Sequence, residues 1–261
     1  YGGSCSSGTT SATSGNNTIT LVSLSEGTYS DCTITVTDNS SNSVTLNMSS
    51  FVIDTTAPTI TSFTSTTADG SYKSDDTVNI TATASEAVVA TNTITATLDT
   101  SDNVTLTAAD NGTTLVGTYT VGAGDNSNDL TVSSFSIGTV TDIAGNAMSG
   151  TTVPDTNIAS GSAIVIDTTV PTITSFTSTT SNGSYKSAGT VNITATASEA
   201  VVATNTITAT LDTSDNVTLT AADNGTTLVG TYTVGAGDNS NDLTVSSFSI
   251  GTVTDIAGNA M

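Results

Sequence analysis

The sequence contains no histidine and no tryptophan, and only two basic residues, Lys73 and Lys186, stand against 23 acidic ones. Each absence removes a class of function. Without histidine, neither a Ser-His-Asp nor a Cys-His nucleophile can be assembled, so the chain is expected not to be an enzyme. Two lysines cannot neutralise a run of phosphates, which excludes nucleic acid as a partner. Aromatic residues make up 4% of the chain, leaving few platforms on which a sugar could stack. No apolar run approaches the roughly 20 residues of a membrane-spanning helix.

Glutamate is nearly absent too. Glu26, Glu86 and Glu199 are the only glutamates, and every other acidic residue is aspartate. Glutamate is what a helical surface uses, whereas aspartate belongs to turns and to sites for hard cations. Thr, Ser, Val and Ile dominate what remains, a composition suited to pleated strands, so the chain reads as all-β. Cysteine is limited to Cys5 and Cys32. A metal site wants more Cys or His than that, so the pair is expected to form a disulfide in an oxidising compartment. Closing a loop of that length contributes about 3 kcal/mol.

What is present is a long repeat. Pro58-Thr59-Ile60-Thr61-Ser62-Phe63 returns 113 residues later as Pro171-Thr172-Ile173-Thr174-Ser175-Phe176, and residues 58–148 match 171–261 at all but four positions. The exceptions are Ala68/Ser181, Asp69/Asn182, Asp75/Ala188 and Asp76/Gly189, all in one polar stretch that must be a loop. A repeat this long is a whole domain rather than a solenoid turn. Within it apolar and polar residues alternate with period two, as in Val78, Ile80, Ala82 and Ala84 against Thr77, Asn79, Thr81 and Thr83. Runs such as Asp110-Asn111-Gly112 supply the turns. Seven strands are predicted, at 59–66, 77–86, 91–98, 104–109, 114–121, 130–142 and 162–167, and seven short strands with regular turns point to a two-sheet sandwich. The expected organisation is therefore 1–54 as the C-terminal part of a sandwich with a disulfide, 55–167 as a complete one, and 168–261 as a copy lacking its last strand. In the first part, Tyr29 is placed like a tyrosine corner ahead of a strand at Cys32–Val36, and Val44–Ile53 is predicted as the final strand.

These residues resemble the bacterial immunoglobulin-like repeats of large extracellular surface adhesins and biofilm proteins. The resemblance is carried by Ile53-Asp54-Thr55-Thr56-Ala57-Pro58-Thr59, Gly70-Ser71-Tyr72-Lys73, Ser85-Glu86-Ala87-Val88, Thr118-Tyr119-Thr120-Val121-Gly122 and Asp142-Ile143-Ala144-Gly145-Asn146, each recurring 113 residues on, with Val170 in place of Ala57. It implies an extracellular stalk of many tandem copies, stiffened by calcium.

Strand counting reaches the same metal independently. If the first strand of a repeat runs away from the preceding domain, the second and sixth strands must both end back at that junction. Glu86 then meets Asp142 and Asn146 of the following loop, and Asp54 arrives from the preceding domain. The repeat offset reproduces the set as Asp167, Glu199, Asp255 and Asn259. Oxygen ligands with no nitrogen or sulfur suit Ca²⁺. The competing reading is turn chemistry, since an Asp before Thr-Thr and an Asp-x-x-Gly-Asn loop also occur without a metal. At the opposite pole, Asp125-x-Ser127-x-Asp129 has the spacing that begins a calcium loop but no distal glutamate.

Three functions follow as expectations. One is a structural stalk of a surface adhesin, whose partners are neighbouring repeats. Another is a filament subunit completed by strand exchange between chains. The last is a carbohydrate- or ligand-binding module, which the scarcity of aromatic residues disfavours.

Overall fold

Thr-rich alternation produces strands because a β-branched residue packs well on a pleated surface while its neighbour faces water. The computed structural model describes residues 1–261, and apart from a single 3₁₀ turn its regular elements are all strands. No helix is long and apolar enough to cross a membrane.

The N-terminal part holds β1 (Gly27–Tyr29), β2 (Thr33–Thr37), β3 (Ser43–Asn47) and β4 (Phe51–Ile53). β2 and β3 form a hairpin, while β4 pairs with β1. The single strand predicted from Val44 to Ile53 is therefore two, because its halves serve different partners on either side of Met48. Cys5 and Cys32 form the disulfide, with their Cα atoms 5.2 Å apart and both residues buried. The Tyr29 hydroxyl donates to the Ser25 carbonyl oxygen at 2.9 Å, so the tyrosine corner is real.

The middle repeat contains β5 (Ile60–Thr64), β6 (Gly70–Tyr72), β7 (Thr77–Ala84), β8 (Thr93–Leu98), β9 (Asn103–Ala108), β10 (Thr114–Thr120), β11 (Asn126–Ser127), β12 (Val132–Ile137) and β13 (Ile164–Asp167). All seven predicted strands are present. Six make one antiparallel sheet in the order β12-β8-β9-β10-β7-β5, and β13 lies between β11 and β6 in a second, smaller sheet. Two strands escaped the sequence reading. β11 and β6 are two and three residues long, too short for a periodic signal, and β6 runs parallel to β13. The inward residues of both sheets form one core of 24 buried side chains, with Phe63, Ile80, Leu106, Leu115, Ile164 and Ile166 at its centre. Gly117 sits in β10 because any side chain there would strike the Thr105 carbonyl and Leu106.

The third repeat contains β14 (Ile173–Thr177), β15 (Thr190–Ala197), β16 (Thr206–Leu211), β17 (Asn216–Ala221), β18 (Thr227–Thr233) and β19 (Val245–Ile250), again as one six-stranded sheet in the corresponding order. No counterpart of the smaller sheet forms.

Candidate metal centre

Each junction is built from three chain segments. β7 ends at Ala84 and delivers Glu86 to the pole where β12 also arrives, and the loop after β12 carries Asp142. That loop is stitched to the one after β7 by a bridge between Val88 and Asp142 and by the bond from the Val89 amide to the Thr141 carbonyl oxygen. Asp54 comes from the preceding part of the chain, immediately after β4. One oxygen from each of Asp54, Glu86 and Asp142 lies within 4.8 Å of the others, and Asp167, Glu199 and Asp255 form the same cluster at the second junction. No other trio of acidic side chains gathers this closely.

The roles within the cluster differ. Asp142 is almost fully buried at 2% exposure. Its Oδ1 accepts the amides of Gly145 and Asn146 at 2.7 and 2.8 Å, and its Oδ2 accepts Asn146 Nδ2 at 2.7 Å. Gly145 has φ +98°, a left-handed conformation that glycine adopts without a Cβ penalty, and this lets the loop fold back over the carboxylate. Burial works to raise the Asp142 carboxyl, but these bonds outweigh it and hold it below the usual aspartate range. Asp142 is thus fixed as an anion.

Asn146, expected among the metal ligands, donates through its Nδ2 to Asp142 Oδ2, which leaves its Oδ1 unengaged. Its Nδ2 also bonds the main-chain oxygen of Asp54 at 3.1 Å, tying the incoming strand to the loop. Asn259 repeats both contacts, to Asp255 Oδ2 at 2.7 Å and to the Asp167 carbonyl at 2.8 Å. These asparagines are cross-junction clamps through their Nδ2 groups, and the three carboxylates converge beside them.

Glu86 is the unsatisfied member. Its Oε1 is buried and has no hydrogen-bond partner, and the same is true of Glu199 Oε1. A buried carboxylate oxygen left without a donor is costly and rare. Burial, then Asp54, Asp142 and Glu26, raise the Glu86 carboxyl above the ordinary glutamate range; burial, then Asp167 and Asp255, do the same for Glu199. The donor set is therefore three converging carboxylates with one orphaned oxygen and no basic side chain in salt-bridge contact. Such a set fits a hard divalent cation, which takes six to eight oxygens and offsets the mutual repulsion of its ligands.

The opposite pole is organised differently. Asp125, Ser127 and Asp129 do not converge. Asp125 Oδ2 accepts the Tyr119 hydroxyl at 2.5 Å and the Gly122 amide at 2.6 Å, whereas Ser127 Oγ donates to Asp99 at 2.6 Å. The spacing that imitates a calcium loop is here a turn held by its own side chains. Burial raises the Tyr119 hydroxyl far above its ordinary value, and the bond to Asp125 adds to the shift.

The chain matches no protein-family model, and a search of curated proteins returns no match.

Proposed function

We propose that the chain is a structural, non-catalytic stalk of tandem sandwiches on an extracellular protein, with Ca²⁺ bound at the interdomain junctions. The observation that carries this reading is the convergence of Asp54, Glu86 and Asp142, repeated as Asp167, Glu199 and Asp255, with a buried unpartnered glutamate oxygen in both. The disulfide agrees with an oxidising compartment.

The mechanism is mechanical. Three carboxylates from three segments repel one another when nothing lies between them, and repulsion across a junction favours bending apart. A bound cation converts that repulsion into shared attraction and removes hinge freedom. Asn146 and Asn259 hold the incoming strand in register so that the third carboxylate stays close. Calcium itself supplies charge and coordination, and every other contact is provided by the chain.

Small-angle scattering of the purified chain with Ca²⁺ and with a chelator tests this. The expected result is a longer maximum dimension and a narrower distribution of shapes with the metal. An identical scattering profile in both conditions would sink the proposal.

A further inference from the structure

The two junctions are copies in sequence offset, but they do not carry the same charge. In the N-terminal part, β1 faces β4 with Gly27 opposite Ile53, which places Glu26 opposite Asp54. In the middle repeat, β11 faces β13 with Ser127 opposite Ile166 and Asn126 opposite Asp167. Ile53 and Ile166 are equivalent by the 113-residue offset. Glu26 and Asn126 therefore occupy the same structural position although they are 100 residues apart in number. Both hold the linker. Glu26 accepts the hydroxyls of Thr55 at 3.1 Å and of Thr56 at 2.8 Å, and Asn126 Oδ1 accepts the Thr168 amide at 3.1 Å and the Thr169 hydroxyl at 3.3 Å. One clamp is an anion and the other is neutral.

The loops of the two junctions also differ in their surroundings. A side chain at Gly258, in the loop that forms the second junction, would lie 3.5 Å from Lys73 Cε, while at Gly145 nothing lies within 4 Å. The aliphatic stem of Lys73 thus rests against the loop of the second junction. The first has no such neighbour, since Lys73 and Lys186 are the only basic residues. Asp54, Glu86, Asp142 and Glu26 gather at the first junction with no lysine. Asp167, Glu199 and Asp255 gather at the second, where the position of Glu26 is taken by the neutral Asn126.

Resting on the calcium reading above, we infer that the junctions are graded: the first fills at a lower Ca²⁺ concentration than the second, with Glu26 and Asn126 as the affinity-determining pair. Ligand charge count is a principal means by which oxygen sites tune calcium affinity. The separation expected from one added anion is about tenfold in Kd. An array built this way stiffens in stages as calcium rises.

Calorimetric titration of the full chain with CaCl₂ tests the grading. Two classes of site about tenfold apart are expected in the wild type. Glu26→Gln should bring the tight class towards the weak one, whereas Asn126→Asp should tighten the weak class. Glu26 and Asn126 are exposed, so neither substitution disturbs the core. Asp167→Asn together with Glu199→Gln should abolish the weak class and leave the tight one. Two classes of equal affinity in the wild type, or a separation unmoved by Glu26→Gln, would overturn the grading while leaving calcium binding intact. Absence of calcium binding in a chain with intact strand circular dichroism would overturn the stalk reading and the grading together.

Discussion

Residues 58–148 and 171–261 differ at only four positions, yet they bury different cores. The middle repeat has 24 buried residues in its cluster and the third has 14. Phe135 is 5% exposed and its counterpart Phe248 is 41% exposed. Val132 and Leu130 are buried, while Val245 and Leu243 are half-buried. Residues outside the repeated block account for the difference. β13 inserts Ile164 and Ile166, and the 3₁₀ turn at Ile158–Ser160 adds Ile158. Asn157 exchanges two hydrogen bonds with the backbone of Val132, and Asp69 accepts the Ala163 amide, so this segment is anchored at both of its ends. β6 and β11 exist only where β13 lies between them, because a strand of two or three residues has no ladder of its own. The lesson is that two stretches differing only in one loop form the same main sheet, while the core closes where the crossing segment packs against it.

That contrast can be broken most sharply at the phenylalanines. Phe135→Ala should cost about 4 kcal/mol, in the range for emptying a buried aromatic site, whereas Phe248→Ala should cost well under half of that. Hydrogen exchange resolved by repeat would read both losses in one chain, and equal losses would refute the difference in burial. Where the repeats agree, a matched pair should show it. Tyr119 bonds Asp125 and Tyr232 bonds Asp238, each at 2.5 Å. Tyr119→Phe and Tyr232→Phe should each destabilise their own repeat by about 1–2 kcal/mol, since each removes a hydrogen bond to a carboxylate that keeps only its backbone donor. A cost in only one repeat would show that the second sheet also governs this pole.

The smallest effect concerns protons. Glu86 and Glu199 have carboxyls raised above the ordinary glutamate value of 4.5. The folded state therefore binds a proton more readily than the unfolded chain, so in a chelator the junctions should firm as pH falls through the window just above that value. The same contribution is lost as pH rises through the raised folded value. With calcium present the sign reverses for metal affinity, because the proton competes for the carboxylate. Scattering across that window with and without calcium checks both directions, and a response of the same sign in both conditions would contradict the shared site.

Much of this was legible in the residues. Period-two alternation located β7, β8, β9 and β10 to within two positions, since one face had to be buried, whereas β12, expected over 130–142, ends at Ile137. The disulfide and the meeting of Asp54, Glu86 and Asp142 followed from composition and from counting strand directions. Other features gave no local signal. β6 and β11 are too short to alternate. The break at Met48 depends on which partner each half finds.

By itself, then, the sequence determined the all-β class, the 113-residue repeat and which acidic residues share a pole, because alternation and strand count are local and directional. Only the tertiary structure decided that Asn146 and Asn259 are donors and that Glu86 and Glu199 keep a buried oxygen without a partner. It alone matched Glu26 with Asn126, because loops of different length hide that equivalence from any fixed offset while backbone pairing across β1–β4 and β11–β13 restores it.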